Sequence, residues 1–228
     1  MTEVNKRFVA FIDIAGYKNL VKNRPREALA VIKEFFKIGY WATHESDTDI
    51  SGKIKGIFVS DCGIIWTKET VNEENSYESF KLILTAVKKI NEKTMKSEIM
   101  HRNRRMLSTS IAFGEFYPID TVAHGNIQKN LIYGQAYIDA YLDNSNKLDP
   151  GLCRIVTKKL PDTISRMLSA TDTDDQWIPS LQKEGDKLYY YWNCRTIDEI
   201  SAFKKQYQQA IDIKYKKMFD AISKNYLF

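Results

Sequence analysis

The chain is poor in cysteine and histidine, with three of each among its 228 residues. Cys62, Cys153 and Cys194 are odd in number and widely spaced, which argues against a disulfide framework or a zinc site. The histidines show no metal-ligand spacing to one another or to a cysteine. We therefore expect three free thiols and no zinc centre.

Long apolar runs are also missing. No stretch approaches the ~20 residues that cross a bilayer, and the first residues, MTEVNKRF, lack the apolar core of a signal peptide. These absences predict a cytoplasmic protein that contacts no membrane.

The net charge of +5 permits an anionic ligand, but the basic residues are dispersed rather than gathered into one patch. No helix-turn-helix, zinc-finger or RNA-recognition motif accompanies them, so we expect no nucleic-acid partner. A basic nucleic-acid-binding protein is an alternative that rests on net charge alone.

Two short apolar runs each carry an aspartate. FVAFIDIAGY places Asp13 at the end of a strand-like stretch, and GIFVSDCGIIW places Asp61 in the middle of another. Both runs are rich in β-branched and aromatic residues, as buried strands are. Because an unpartnered carboxylate is costly to bury, each aspartate should bind a metal, pair with a cation or accept backbone donors. If the two strands are neighbours, the pair forms a divalent-cation site.

Apolar periodicity predicts the helices. Gly16 allows a turn into a first helix that ends before Pro25. Two apolar stripes at helical spacing predict the next two helices. The first stripe consists of Leu29, Ile32, Phe36 and Tyr40. The second consists of Phe80, Ile83, Leu84, Val87 and Ile90. A further helix is predicted to start near Gly134.

Strand-like patterns lie between the predicted helices. Segment 53–69 predicts a hairpin with Asp61 near its turn, and alternation over 106–117 predicts another strand. LCRIVTKKL and KLYYYWNC supply two more candidates. The resulting order, βα(α)ββαβαβ with a late strand, predicts an α/β (α+β) fold with a central mixed or antiparallel sheet flanked by helices.

The C-terminal segment differs from the rest of the chain in having one long apolar stripe at helical spacing. We predict a domain over 1–195 followed by a long amphipathic helix over 196–228. Its apolar stripe consists of Ile200, Phe203, Tyr207, Ile211, Tyr215, Met218 and Ile222. The helix is expected to pack across its own domain, and the alternative is a dimerisation helix.

Four motifs in order resemble those of the class III nucleotidyl cyclases. FIDIAGY resembles the first metal motif and FVSDCGI the second, while SIAFGEFY and IYGQAYIDAYLDN resemble a later strand and helix. Together they are most similar to the bacterial pyrimidine cyclases of the Pycsar anti-phage system. The resemblance covers most of residues 7–195.

The resemblance implies two divalent cations, Mn²⁺ or Mg²⁺, held by the Asp13 and Asp61 carboxylates and the Ile14 carbonyl. It implies catalytic roles for both aspartates. The backbone between Ile14 and Lys18, which includes Ala15, Gly16 and Tyr17, would face the phosphates. Phe11 belongs to the same implied nucleotide site. The alternative is that Gly16 merely ends a strand and Asp13 caps the helix.

Departures from the family pattern bear on the substrate. Adenylyl cyclases carry base-reading residues where this chain has Ile57 and Leu131. Lys55 lies two residues before Ile57, so strand alternation brings it to the same face. Apolar residues at both purine-reading positions argue against ATP and fit a smaller pyrimidine base, although they also fit a pocket that has lost its ligand.

Other departures bear on catalysis. The transition-state asparagine and arginine of the family fall at Ile138 and Leu142. Asp139, Asn144 and Arg154 are nearby polar candidates, and Arg154 is predicted to supply the missing charge across a dimer interface. The phosphate-binding lysine falls at Leu188, with Lys187 as a substitute one position away.

The resemblance therefore predicts an enzyme that converts UTP, or CTP, to cyclic UMP, or cyclic CMP, and pyrophosphate. It implies a head-to-tail homodimer with composite sites and a separate effector that the product activates. The alternatives are a catalytically silent cyclase-like domain that binds a nucleotide or a partner, and a purine nucleotide cyclase.

Overall fold

The computed structural model describes residues 5–45, 50–124, 127–146, 148–169, 180–208, 220 and 222. For residues 119–124, 127–131 and 206–208 it describes the backbone alone. Its strands are β1 (Lys6–Ile14), β2 (Ile54–Val59), β3 (Cys62–Thr67), β4 (Leu107–Glu115), β5 (Tyr117–His124), β6 (Ile127–Tyr133), β7 (Cys153–Ile155), β8 (Leu181–Glu184) and β9 (Lys187–Tyr190). Its α-helices are α1 (Tyr17–Asn23), α2 (Pro25–Tyr40), α3 (Ser76–Lys96), α4 (Glu98–Arg102), α5 (Gln135–Ser145), α6 (Asp162–Ser169) and α7 (Ile197–Gln208). A π-helical turn, Trp41–Glu45, follows α2.

Seven strands form one sheet in the order β2-β3-β1-β4-β7-β9-β8, and β5 and β6 form a separate ribbon. The pair β4 and β7 is parallel, whereas the other described pairs are antiparallel. The predicted mixed sheet flanked by helices is therefore confirmed. Sequence patterns missed the β5–β6 ribbon, α6 and β8.

Strand β1 lies inside the sheet and is covered on both faces. Phe8, Ala10 and Ile12 pack into the main core, to which α2 and α3 contribute. Val9 and Phe11 alternate with them and pack against Ala136 and Ala140 of α5. Asp13 follows the same alternation, so it points to this second side, which we call the α5 face.

The apolar stripe predicted for α3 is confirmed, because its five residues are all at most 1% exposed. The helix predicted over α2 exists, but the predicted stripe was wrong. Leu29 is 54% and Tyr40 45% exposed, and the buried residues are Ala28, Val31, Phe35, Ile38 and Gly39. Apolar residues occupy more than one side of α2, so periodicity alone does not select the buried side.

In the C-terminal segment the structure describes α7 as far as Gln208, and then Asp220 and Ile222. Ile200, Phe203 and Ile222 lie in the main core, which favours packing across the same chain. Lys204 forms an ion pair of 2.8 Å with Glu184 in β8. The rest of the predicted stripe, Tyr207, Ile211, Tyr215 and Met218, lies outside the described side chains. Within the described ranges, no helix has the length and apolar character that crossing a bilayer requires.

Gly134 sets the approach of α5 to the sheet. Its φ of +138° lies in a region that is restricted to glycine, and an added Cβ would overlap the carbonyl oxygen of Glu115 and lie 2.7 Å from the Cα of Phe116. We expect Gly134→Ala to lower the free energy of unfolding by about 2–3 kcal/mol, since both backbone strain and a backbone clash arise.

The matched control is Gly185→Ala, at φ +62° with nothing within 4 Å of an added Cβ. It should cost only ~1–2 kcal/mol, from the left-handed backbone. Urea unfolding of both variants measures the difference. Equal costs would mean that α5 tolerates a shift away from β4.

Candidate active site

The two aspartates lie next to each other at one end of the sheet. Asp13 pairs with Cys62 across β1 and β3, and Asp61 immediately precedes Cys62. The N–H of Ile14 donates to the carbonyl of Asp61 at 2.9 Å. Asp61 lies in the two-residue turn between β2 and β3, so the prediction that it sits inside a strand was wrong, whereas its place near a hairpin turn is confirmed.

The carboxylates repel each other. Burial, and then the charge of Asp61, raise the pKa of Asp13 from its ordinary 3.8 to about 7. Burial, followed by both aspartates, raises the pKa of Cys62 to about 11, so this thiol stays protonated at neutral pH. Local negative charge in a partly buried place is therefore the main electrostatic property of the site.

The turn that carries Asp61 is strained. Ser60 adopts a φ of 53°, which is unusual for a residue with a side chain. Its hydroxyl donates to the Asp61 carboxylate at 3.1 Å. Hairpins of this length favour glycine or asparagine where φ is positive, so the turn holds serine at a cost of about 1–2 kcal/mol.

The oxygen donors fit a hard divalent cation. In the described part of the chain, no group of three or more His, Cys, Asp and Glu side chains is placed to hold a metal ion. Asp13, Asp61 and the Ile14 carbonyl would therefore need oxygens from a ligand or water to complete a coordination shell. Such all-oxygen sets suit Mg²⁺ and Mn²⁺.

The loop from β1 into α1 holds both expected and unexpected features. Gly16 is the N-cap of α1 with a φ of 71°, and no side chain caps this helix, so the alternative in which Asp13 is the cap was wrong. The N–H groups of Ile14 and Ala15 donate to Asp61 and Met106 carbonyls, so they are not phosphate donors. The first-turn N–H groups from Gly16 onward have no acceptor within the helix.

Arg105 fixes this loop, and sequence reasoning missed it. Its Nη1 donates to the carbonyls of Ala15 and Gly16 at 3.2 Å each, and its Nε donates to Asn103 at 2.8 Å. A Cβ on Gly16 would lie 3.1 Å from Nη1. Gly16 therefore permits both the turn and the close approach of the Arg105 side chain. The sequence predicts only the turn.

The α5 face holds the candidates for base recognition. Lys55 and Ile57 occupy this face together, opposite Trp66 and Ile64 of β3, as alternation predicts. Lys55 is exposed and Ile57 half-buried. Phe11 is only 6% exposed and packs edge-on against Tyr141, so it belongs to the core. Leu131 pairs with Ile119 in the ribbon, and its side chain lies outside the described part.

Arg154 has a different role from the one that the sequence predicts. It is 3% exposed, and its Nε pairs with Asp143 of α5 at 2.7 Å. Its Nη2 donates to the carbonyls of Asp143 and Asn146. The guanidinium thus caps the last turn of α5 from inside the protein, and it is not presented to a dimer interface.

The structure also describes Lys187 and the two α5 residues Ile138 and Leu142. Leu188 lies in the main core, so Lys187 points to the α5 face, where it is exposed. Because β9 is three strands from β1, Lys187 lies at least ~14 Å from Asp13 in the same chain. Ile138 and Leu142 are 45% and 57% exposed on α5.

No family model matches the sequence, and the search of curated proteins found no match. Solved structures do match. A bacterial light-regulated adenylyl cyclase aligns over 98% of this chain and 99% of its own, with a TM-score of 0.54 and 11% identity. The chain has the fold of the class III nucleotidyl cyclases. The guanylate cyclase domain of RhGC from Catenaria anguillulae, in complex with GTP, aligns over 83% of this chain and 97% of its own, with a TM-score of 0.55 and 12% identity.

A third structure with this fold is described as a class III adenylyl cyclase-like ATP-binding protein from Pseudomonas aeruginosa. It aligns over 67% of this chain and 33% of its own, with a TM-score of 0.52 and 10% identity. At such identities the similarity establishes the fold, and the chemistry has to be argued from the residues of the site.

Proposed function

We propose that the chain is a nucleotidyl cyclase that converts a pyrimidine nucleoside triphosphate, UTP or CTP, to its cyclic monophosphate and pyrophosphate. The observation that carries the proposal is the adjacency of Asp13 and Asp61 at the end of β1 in a cyclase fold. A silent domain has no evident use for two adjacent carboxylates when burial, and then the charge of Asp61, raise the pKa of Asp13.

The reaction is an in-line attack of the ribose 3′-hydroxyl on the α-phosphate of the same nucleotide, with pyrophosphate leaving. Two bound cations would lower the pKa of the hydroxyl and neutralise the triphosphate. Asp13 and Asp61 would hold both cations, with the Ile14 carbonyl as a third donor. The first-turn N–H groups of Gly16 and Tyr17 would donate to the phosphates.

The preference for a pyrimidine rests on Ile57 and Leu131, which replace purine-reading side chains. Lys55 reaches the same face as Ile57 and is an exposed cation that could meet a base carbonyl. UTP and CTP differ in the donor or acceptor at one ring edge, and we favour UTP. The cyclic product would act on a separate effector in anti-phage defence, within the cytoplasm.

The separation of Lys187 from Asp13 supports a composite site. Within one chain the backbones of the two residues are three strands apart, so the partner subunit's Lys187 is an alternative source of this cation for the phosphates. In a head-to-tail homodimer, the Lys55 and Lys187 surface of one subunit would face the Asp13 and Asp61 pair of the other. This arrangement would create two equivalent sites.

The second candidate is a silent nucleotide-binding domain. It is favoured by the exposed apolar residues at 138 and 142 and by the use of Arg154 as an internal cap. It predicts binding of a nucleotide without turnover.

One experiment separates the candidates. The purified full chain is incubated with ATP, GTP, CTP and UTP in turn, with Mn²⁺, and the products are identified by mass spectrometry. We expect cyclic UMP or cyclic CMP and pyrophosphate. A cyclic purine would refute the pyrimidine assignment, and nucleotide binding without any product would establish the silent domain.

A further inference from the structure

Ser108 lies directly opposite Asp13, on the neighbouring strand β4. Directly paired residues point to the same face, with Cβ atoms ~4.5–5.5 Å apart. Ser108 is 5% exposed, and its hydroxyl contacts the Oδ1 of Asn144 in α5 at 3.5 Å, a long hydrogen bond. Ser108 therefore lies between the last turn of α5 and the first aspartate.

Asn144 is 8% exposed, and its Nδ2 is buried without a hydrogen-bond partner. A buried donor left in this way costs about 1–3 kcal/mol. A half-turn about the last side-chain bond exchanges Nδ2 and Oδ1 at nearly constant positions. In that orientation Nδ2 can donate to the Ser108 oxygen, and the Ser108 proton is free for the Asp13 carboxylate, while Oδ1 takes the buried position that has no partner.

Hydrogen bonds to the neighbouring residue fix the backbone of Asn144. The preceding residue, Asp143, accepts hydrogen bonds from Ser110 at 2.6 Å and from Arg154 at 2.7 Å. Ser110 is also on the α5 face but pairs with Phe11 rather than with an aspartate. The last turn of α5 is thus tied to β4 and β7 at the level of the site.

We propose that Asn144 and Ser108 form a hydrogen-bond relay that orients the Asp13 carboxylate as a cation ligand. The inference rests on the proposed function, because it assumes that Asp13 binds a divalent cation. Both are positioning residues that act through Asp13. Hydrogen-bond partners of this kind typically contribute 10–100-fold to metal affinity.

The relay gives α5 a polar contribution to the site that does not depend on residues 138 and 142. Those positions lie on the exposed side of the helix, whereas Asn144 lies on the buried side with Ala136 and Ala140. The buried side faces the aspartate of the same chain. The relay therefore works in each subunit by itself, with no residue from a partner.

The test measures Mn²⁺ binding to the full chain by electron paramagnetic resonance of the free ion, without nucleotide. Ser108→Ala and Asn144→Ala should each raise the Kd for Mn²⁺ about tenfold. The double variant should be no weaker than either single one, because one relay is lost. Ser108→Thr keeps the hydroxyl and should bind nearly as the wild type does. Ser110→Ala is the matched control, since it removes a hydrogen bond to α5 on the same strand and face, and it should change the Kd less than twofold.

Two results overturn the relay while leaving the cation site in place. One is an unchanged Kd in Ser108→Ala when Asp13→Ala abolishes binding. The other is an equal loss in Ser108→Ala and Ser110→Ala, which would make the effect a displacement of α5. If the wild-type chain binds no Mn²⁺, the cation site of the proposed function fails, and the relay fails with it.

Discussion

Asp13→Asn should lower the rate of cyclisation by about 10³-fold while making the protein more stable at neutral pH. A metal-bound carboxylate supplies several kcal/mol of transition-state stabilisation, at about 1.4 kcal/mol per tenfold in rate. Asparagine has nearly the same shape but carries no charge. The measurement is the steady-state rate of product formation with saturating Mn²⁺ and UTP.

The gain in stability follows from the raised pKa. The folded protein holds the Asp13 proton up to about pH 7, whereas an unfolded aspartate releases it near 3.8. The folded state thus binds more protons between these values, so its stability falls as the pH rises from about 4 to 7. Asp13→Asn removes this decline. Urea unfolding with a chelator present should show the variant as the more stable protein at pH 8 and the difference shrinking toward pH 4.

Asp61→Asn tests the second carboxylate of the pair. It should also lose activity, and it should bring the pKa of Asp13 closer to its ordinary value, because one of the two causes of the shift is gone. Full activity in either variant would contradict the proposed cation site. Equal pH dependence of stability in Asp13→Asn and the wild type would show that another group titrates.

Arg154→Met should lower the free energy of unfolding by about 3 kcal/mol, the lower end of the usual cost of breaking a buried ion pair from one side, because the Asp143 side chain is 23% exposed. The substitution leaves the Asp143 carboxylate without its cation, and the carbonyls of Asp143 and Asn146 without a cap. Urea unfolding at pH 7 measures the loss. Arg154→Met combined with Asp143→Leu should recover part of it, since no unpaired charge is left.

The control for Arg154 is an exposed ion pair. Arg102 contacts Glu98 across one helical turn of α4, and their side chains are 75% and 81% exposed. Arg102→Met should change stability by no more than ~0.5 kcal/mol. If Arg154→Met left stability intact and abolished turnover, the guanidinium would be catalytic, as the sequence predicts.

These two predictions show which parts of the site the sequence reveals. Asp13 and Asp61 lie in short apolar runs, so the sequence alone indicates that each buried carboxylate needs a cation or hydrogen-bond donors. The hairpin that carries Asp61 is also a local feature. Local patterns of this kind predict six of the nine described strands, most of the described helices and the mixed sheet.

Arg154 was misjudged because its partner is known only from the fold. Nothing in LCRIVTKKL indicates that a guanidinium will lie beneath the last turn of α5, and a basic residue near a suspected site resembles a catalytic one. Arg105 and Ser108 were missed for the same reason, since each acts on a loop or strand about a hundred residues earlier in the chain. The Ala15 N–H likewise lost its predicted role to Met106, a partner brought in by β4.

The central position of β1 also determines when the site can assemble. β1 pairs along its whole length with β4, which comes much later in the chain, so that Lys6 lies opposite Glu115. Pairings this distant are slow to form because a long loop must close first. The hairpin with Asp61 can form early, but Asp13 is held in place only once β4 has arrived. Divalent-cation binding should therefore appear late during refolding, after most helical signal has returned.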